Sequence, residues 1–525
     1  MGIYLNPKNV AFQKALNNDI YIDKTDLISH TNDKIGKQDC FMCISRPRRF
    51  GKSMAADMLA AYYSRGCESK NLFTAKKAEQ SEDFGKHLNQ HHVIRLDIQR
   101  FVETERDLDT FIQVIERSVL EELSEEFPDC RSIHSDVRLK TALEKIFHET
   151  ETGFIFIIDE WDCVFRMAKE RKDIQKDYLD FLRGLFKGSE YVELAYMTGI
   201  LPIKKYGEHS PINIFTEYSM VDPKNLGPYF GFTEEEVQSQ CCQHGMDYEE
   251  LRKWYDGYQL EELHIYNPKS VADALTWKKV KSYWTGTETY EALKVYIDLN
   301  FDGLKEAVTV MLGNGRCAID PSTFQNDMTT FKTRDDVLTL LVHLGYLTFD
   351  EKTSEVFIPN QEIAQEFLRA VKTGGWDGLL DALNRSEQLL NSTWALDSKA
   401  VADGVEAIHS ETASILKYND EHSLACTILM AYYSAKAYYL NPIMELPSGK
   451  GFADVVYLPK RGVDIPALVV ELKWDKSASG AVGQIKEKQY ADWIAGYTGD
   501  ILLVRINYEK GTKTHSCVIE KYAKA

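Results

Sequence analysis

The junction between an apolar run and a glycine-lysine turn constrains this chain more than any other stretch. "CFMCIS" (40–45) has the composition of a buried strand, "RPRRFGKSM" (46–54) follows at once, and Met54, Met58 and Leu59 then give the apolar side of a helix. Strand, loop and helix in that order, with Gly51-Lys52-Ser53 at the join, make a phosphate-binding loop: successive backbone N–H groups at a helix N-terminus surround phosphate oxygens. Lysine meets the β- and γ-phosphates in such a loop, and Ser or Thr ligates Mg²⁺. Gly51, Lys52 and Ser53 are therefore the expected nucleotide ligands, with Ser53 on the metal. Arg46 stands where the consensus G-x-x-x-x-G-K-[ST] has its first glycine. The Arg46-Pro47 pair bends the loop differently without removing a phosphate ligand, and Arg48 and Arg49 add positive charge.

From Ile20 to about Thr216, short apolar runs alternate with amphipathic stretches, the pattern of a parallel sheet covered by helices. The expected strands are 40–45, 92–98, 154–159, 194–199 and 212–216. The third, "FIFIID", is apolar at 154–158 and ends in Asp159 and Glu160. Ligands of α/β sheets sit outside the carboxyl ends of the strands. Asp159 is thus the expected Mg²⁺ ligand, acting through water, and Glu160 the general base that polarises an attacking water. The same pair would also serve as a helix N-cap. Thr198-Gly199 closes a further strand at the same sheet edge.

At 525 residues the chain exceeds one ordinary core, and two to four domains are expected. No run of about 18 apolar residues could span a bilayer, and no basic segment followed by an apolar core marks a secretory leader. Scattered cysteines fit reduced thiols in a cytoplasm. Cys40 and Cys43 have C-x-x-C spacing but lie in a strand-like run, and Cys241, Cys242 and His244 lack a second ligand pair. The net charge is −18, yet residues 401–525 carry 14 Lys and Arg against 15 Asp and Glu, so the acidity belongs to the first 400 residues. A nucleic-acid partner, which needs phosphate contacts, is therefore expected only near the C-terminus.

Residues 232–290 read as helices around "WYDGY" (254–258) and "YNPKSV" (266–271). Residues 301–372 end in a helix stopped at Gly345 and a hairpin through "DEKTSEVFIPN", the order in which a winged helix ends. A connecting helix follows at 375–393. The last domain contains Asp454 at the start of one strand and "ALVVELKW" (467–474) as the next. Glu471 and Lys473 share a face by strand alternation. If Asp454 faces the same way, two carboxylates and an ammonium converge. Those carboxylates and the Leu472 carbonyl suit Mg²⁺ or Mn²⁺, and Lys473 suits a nucleophile-positioning role.

Taken in order, "YIDKTDLI" (21–28), "SRPRRFGKSM" (45–54), "FIIDEWD" (156–162), "MTGI" (197–200), "WYDGY" and "YNPKSV" resemble the bacterial AAA-ATPase-like family commonly joined to a C-terminal PD-(D/E)xK nuclease domain. In that family the loop begins RPRRFGK, so Arg46 matches the family's own form. The resemblance implies that Thr198 is a polar sensor near the γ-phosphate and that "YIDKT" flanks the nucleotide. Gln484 resembles the additional polar residue after the E-x-K strand. Asp420, Glu421 and Glu445 are the candidates for an upstream acidic member. Phe452 departs from the pattern, standing where the family often has Arg.

The expected architecture is a multidomain α/β chain. It comprises a P-loop NTPase domain with a parallel sheet (1–225), a helical lid (226–300), a winged-helix-like and linker region (301–395), and a PD-(D/E)xK restriction-endonuclease-like α/β domain (396–525). The expected activity is ATP binding and hydrolysis coupled to metal-dependent cleavage of nucleic acid. Asp454, Glu471, Lys473 and Gln484 form the nuclease site, and ATP and Mg²⁺ (or Mn²⁺ at that site) are the cofactors. The alternative is a nucleotide-dependent switch that recruits a protein partner, or a second copy of itself, and uses the last domain only to bind.

Overall fold

The computed structural model describes residues 2–525 apart from 105–107, 131–132, 134–136, 204–211, 285–292, 297–300, 302, 325–330, 374–376, 413–426, 441, 449–450, 475–496, 498, 510 and 523–525. The chain forms two compact units: Met1–Trp284 with Ile319–Ser354 and Pro359–Glu362, and Thr285–Ala318 with Glu355–Ile358 and Ile363–Ala525.

The first unit is built on five strands, β1 (Phe41–Ser45), β2 (His92–Asp97), β3 (Phe154–Asp159), β4 (Val192–Gly199) and β5 (Thr216–Tyr218), in the order β2-β3-β4-β1-β5. Every pairing is parallel. Both faces are covered: along β3, Phe154, Phe156 and Ile158 enter one core while Ile155 and Ile157 enter the other. That two-sided burial is why the strand reads as an unbroken apolar run. Helix α1 (Lys52–Tyr63) packs Ala56, Leu59 and Tyr63 on one face. Helices α2 (Phe111–Glu126), α3 (Leu139–Thr150), α4 (Cys163–Met167) and α5 (Lys172–Phe186) supply the other. Met54 is exposed, whereas Met58 and Leu59 are buried.

The fifth strand differs from the expected 212–216. Ile212 and Phe215 are buried, but in a turn that precedes the strand. Only Thr216, Glu217 and Tyr218 pair with β1. Residues 232–290 are not helical throughout either. Helices Glu234–His244, Tyr248–Tyr255 and Pro268–Trp277 surround a small antiparallel sheet of β6 (Phe232–Thr233), β7 (Tyr258–Leu260) and β8 (Leu263–Tyr266), ordered β6-β8-β7. The expected aromatic knot leads into the β7–β8 hairpin. Its Tyr258 hydroxyl donates to the Gly345 carbonyl at 2.9 Å.

Helix α6 (Arg334–Leu344) starts at a capping box in which Thr333 and Asp336 satisfy each other's backbone N–H groups. The two acidic residues of its first turn both have local partners: Asp336 caps, and Asp335 accepts from the Arg334 Nε at 3.0 Å. Gly345 ends the helix with φ 84° and a Cβ there would lie 2.8 Å from Pro47, so the helix terminus abuts the loop before Lys52.

In the second unit, helices α7 (Asp377–Trp394) and α8 (Ser398–Thr412) accompany a sheet of β9 (Ile443–Ser448), β10 (Gly451–Tyr457), β11 (Ala467–Trp474), β12 (Ile501–Glu509) and β13 (Thr514–Lys521). The strands neighbour one another in chain order, antiparallel except for the parallel pair β11–β12. Val456, Val469 and Leu503 share a small core on one face. On α8 and β13, His409 and His515 meet through Nδ1 and Nε2 at 2.9 Å, both buried.

Among the described residues no helix is long and apolar enough to cross a membrane, and the cysteines are all free. Cys40 and Cys43 are buried, and burial pushes the Cys40 thiol up to about 11. Cys241 is buried and Cys242 exposed on the same helix.

Candidate functional site

The sheet order determines where a ligand can sit. From β1 the chain reaches β2, β3 and β4 on one side, then crosses to β5 on the other, so order reverses at β1, and ligands of such sheets bind outside the carboxyl ends of the strands at that point. The residues that end β1, β3 and β4 there are Ser45, Asp159 and Gly199.

Gly51 precedes α1 with φ 89°, a left-handed conformation that a glycine adopts without the Cβ penalty. Arg49 also has positive φ, 67°, and is exposed, while Arg48 is half-buried. Lys52 is buried, and its Nζ donates to the carbonyls of Arg46 at 3.0 Å and Pro47 at 2.9 Å. The ammonium thereby spans the loop from within. Burial pushes its pKa down, and Glu160, Asp159 and Asp162 oppose that shift. Ser53 is exposed at the second position of the helix.

Arg46 turns away from the loop. Its Nη1 donates to the Ser45 carbonyl at 2.9 Å and to the Tyr218 carbonyl of β5 at 2.8 Å, and the guanidinium lies 5.5 Å from the Phe230 ring centroid. It is fully buried, which lowers its pKa to about 10. The Arg46 backbone N–H donates to the Gly199 carbonyl at 3.0 Å. The position of the missing glycine therefore holds a strut linking the ends of β1, β4 and β5.

Asp159 is buried and accepts from the Thr198 hydroxyl and, at 3.1 Å, from the Glu160 backbone N–H. Because β4 lies between β1 and β3, Thr198 sits between the loop strand and Asp159. Glu160 has φ 52°, unusual outside glycine. Burial raises its carboxyl pKa, with Lys52 and Arg166 pulling it back and Asp162 pushing it further. Asp97 pairs in register with Asp159 across β2–β3, and burial, then Asp159, push its pKa up. Asp57 of α1 forms an ion pair with Arg95.

Among the described residues no three His, Cys, Asp or Glu side chains are close enough to hold a metal by themselves. A Mg²⁺ ion at a nucleotide site takes only one or two protein oxygens, with phosphates and water completing its shell. Asp159 and Ser53 are hard oxygen donors of that kind.

The structure thus brings Lys52, Asp159, Glu160 and Thr198 to one sheet edge. Sequence reasoning did not single out Arg46's inward strut, nor Asp162 and Arg166, which contact Glu160's surroundings. The available signal was the i, i+4 spacing of Asp162 and Arg166 directly after Asp159-Glu160.

In the second unit, Glu471 is buried and Lys473 half-buried on one face of β11, with buried Leu472 on the other. The pairing Val456↔Val469, carried two residues along each strand, sets backbone position 454 on the face of position 471. The side chains of Asp454 and Glu445 lie outside the described residues, as do Asp420, Glu421 and Gln484. Arg505 of β12 is in register with Glu471; it is buried and reaches Glu520 at 3.3 Å.

Taken together, the sheet order and the Lys52 loop define the first unit as an ATPase-like α/β P-loop domain. Residues 11–207 match the family model described as Predicted AAA-ATPase, the AAA-ATPase-like family. Over 279 residues the chain is 25% identical to an uncharacterized protein in the vnfD 5′ region of Azotobacter chroococcum mcd 1. The aligned stretch covers 51% of each, so the chain spans about half the length of this curated relative. Solved structures with a weak likeness include the Walker-type ATPase PABY2304 of Pyrococcus abyssi, with 12% identity and a TM-score of 0.31, covering 66% of this chain and 94% of that one. Another is the Aeropyrum pernix ORC2 protein in ADPNP–ADP complexes, with 10% identity and a TM-score of 0.28, covering 69% and 98%.

Proposed function

We propose that this chain binds ATP with Mg²⁺ and hydrolyses it, and that its nucleotide state controls a C-terminal metal-dependent nuclease domain of the PD-(D/E)xK type acting on nucleic acid. The observation that carries the first half is the convergence of Lys52, Asp159, Glu160 and Thr198 at the carboxyl end of a parallel sheet whose order reverses at β1. In this reading the N–H groups around Gly51 and the Lys52 ammonium hold the phosphates, with Arg48 and Arg49 adding charge. Thr198 keeps the Asp159 carboxylate aimed, Ser53 and Asp159 hold Mg²⁺, and Glu160 polarises the attacking water. When bound, the metal offsets phosphate charge.

For the second half, Glu471 and Lys473 on one face of β11 support a metal-binding carboxylate and a nucleophile-positioning ammonium, with Asp454 and Gln484 completing the set. Residues 226–300, whose helices surround a small antiparallel sheet, act as a lid and 301–395 as a winged-helix-like coupling region, in a cytoplasmic protein. The test is nucleic-acid cleavage with Mg²⁺ or Mn²⁺, with and without ATP.

One observation favours the second reading, a nucleotide-dependent switch that recruits a protein partner and keeps a binding-only terminal domain. Arg505 is buried and in register with Glu471 on the next strand, so a cationic residue occupies the sheet position beside the carboxylate that a metal would use. Absence of cleavage under either metal, with binding retained, would select it.

A further inference from the structure

Glu160 leaves β3 in a left-handed backbone conformation, φ 52°, which costs about 1 kcal/mol or more for a non-glycine residue and persists only where neighbours enforce it. Four hydrogen bonds surround this turn. The Trp161 backbone N–H donates to the Thr198 carbonyl at 3.0 Å. Arg166 of α4 gives its Nη2 to the Glu160 Oε2 and its Nε to the Asp162 Oδ2, the latter at 3.2 Å. The same Asp162 Oδ2 accepts from the Leu201 backbone N–H at 3.0 Å, just past the end of β4.

These contacts form one chain: Leu201 fixes Asp162, Asp162 fixes Arg166, and Arg166 fixes Glu160. None of the three side chains is free in solvent. Asp162 is fully buried, and the Arg166 and Glu160 side chains are 11% and 17% exposed. Burial alone would lower the guanidinium's pKa, but Asp162 and then Glu160 outweigh it, so Arg166 stays a cation. A carboxylate without such a partner turns broadly about its terminal torsion. One anchored through Oε2 is restricted in that turn, and its Oε1 takes no part in the Arg166 contact.

We propose that Arg166, itself held by Asp162, is the positioning residue that orients Glu160 toward the attacking water. The inference rests on the ATPase reading above and adds a residue pair to it. An ion pair that merely ties α4 to the sheet is the competing explanation.

The test uses the full chain with ATP and Mg²⁺, measuring single-turnover hydrolysis and, separately, affinity for a non-hydrolysable ATP analogue. R166Q is expected to slow turnover about 10- to 100-fold while analogue affinity stays within about twofold, because an orienting contact acts in the chemical step. R166K, which keeps the charge, is expected to recover several-fold of that loss. In the E160Q background R166Q should add almost nothing, since residues acting through one another are non-additive. Should R166Q unfold the protein by stranding Asp162's buried charge, D162N/R166Q removes both charges, and its turnover must still be low. Full additivity with E160Q, no recovery by R166K, or an equal loss of analogue affinity overturns the proposal. If the wild-type chain hydrolyses ATP and R166Q matches it, the proposal alone falls; if the wild-type chain neither binds nor hydrolyses ATP, the ATPase reading falls with it.

Discussion

The two five-stranded sheets of this protein present their acidic residues in different ways. In the first unit, Asp159 and Glu160 stand at the end of a central strand, where the backbone turns and every carboxylate has a structural partner. In the second, Glu471 sits mid-strand on a sheet face, with Arg505 beside it in register. A strand-end site takes its geometry from loops and from the strand order. A mid-strand site takes it from side-chain alternation alone. The first can therefore be assembled from several elements at once, while the second depends on what lies opposite each residue across the face.

The largest expected effects fall on the reacting groups. E160Q should leave ATP binding in place and cut hydrolysis by about 10²–10³-fold or more, the range for losing a positioned general base. In the second unit, D454N or E471Q should abolish Mg²⁺-dependent cleavage without unfolding the protein, and K473A should slow it while metal affinity persists. Rapid-quench hydrolysis and a plasmid cleavage assay check the two sites. If E160Q turns over like wild type while E471Q is inert, the strand-end site is not the catalytic one.

R46G is a sharper probe. It completes the G-x-x-x-x-G-K-S consensus, so on sequence grounds it should improve the loop. The structure predicts the reverse: it removes a buried side chain and the donor to the Ser45 and Tyr218 carbonyls, at a cost of about 2–4 kcal/mol. Urea unfolding followed with and without ATP measures this. Unchanged stability would mean that Arg46 is not a strut.

Smaller still is an acid effect in the second unit. Burial lowers both His409 and His515 to about 4, and they contact each other. Unfolded histidine titrates near 6.5, so the unfolded chain binds these protons first and the folded state loses stability as pH falls from about 6.5 toward 4. The loss is on the order of a few kcal/mol across that window. Thermal melting between pH 7.5 and 4.5 should show it, with a shallower slope in H515Q. An identical slope would place the acid sensitivity elsewhere.

How far the sequence could be read differs between the two regions. In the first unit the central strands are legible because parallel strands buried on both faces leave unbroken apolar runs. The edge strand was misplaced because its apolar neighbours, Ile212 and Phe215, are buried in a turn, while the pairing residues Thr216-Glu217-Tyr218 are polar and short. Gly51, Lys52, Asp159 and Glu160 were legible from motif context. Arg46's inward turn was not, since an arginine after a strand gives no sign of whether it meets a phosphate or two backbone carbonyls. Arg166 is not legible for a similar reason: i, i+4 pairs with Asp are common on helices, and only the fold shows that this one also reaches Glu160. In the second unit, alternation sets Glu471 and Lys473 on one face, but nothing in the sequence points to Arg505 beside them.

The central claim is that the loop at Gly51–Ser53 holds a nucleotide. Calorimetric titration of ATP with Mg²⁺ into the wild-type chain and K52A tests it most directly. The account predicts one binding event in the wild type and a loss of about 100-fold or more in K52A, because the ammonium meets phosphate charge in a buried setting. Equal affinity in both proteins would contradict it.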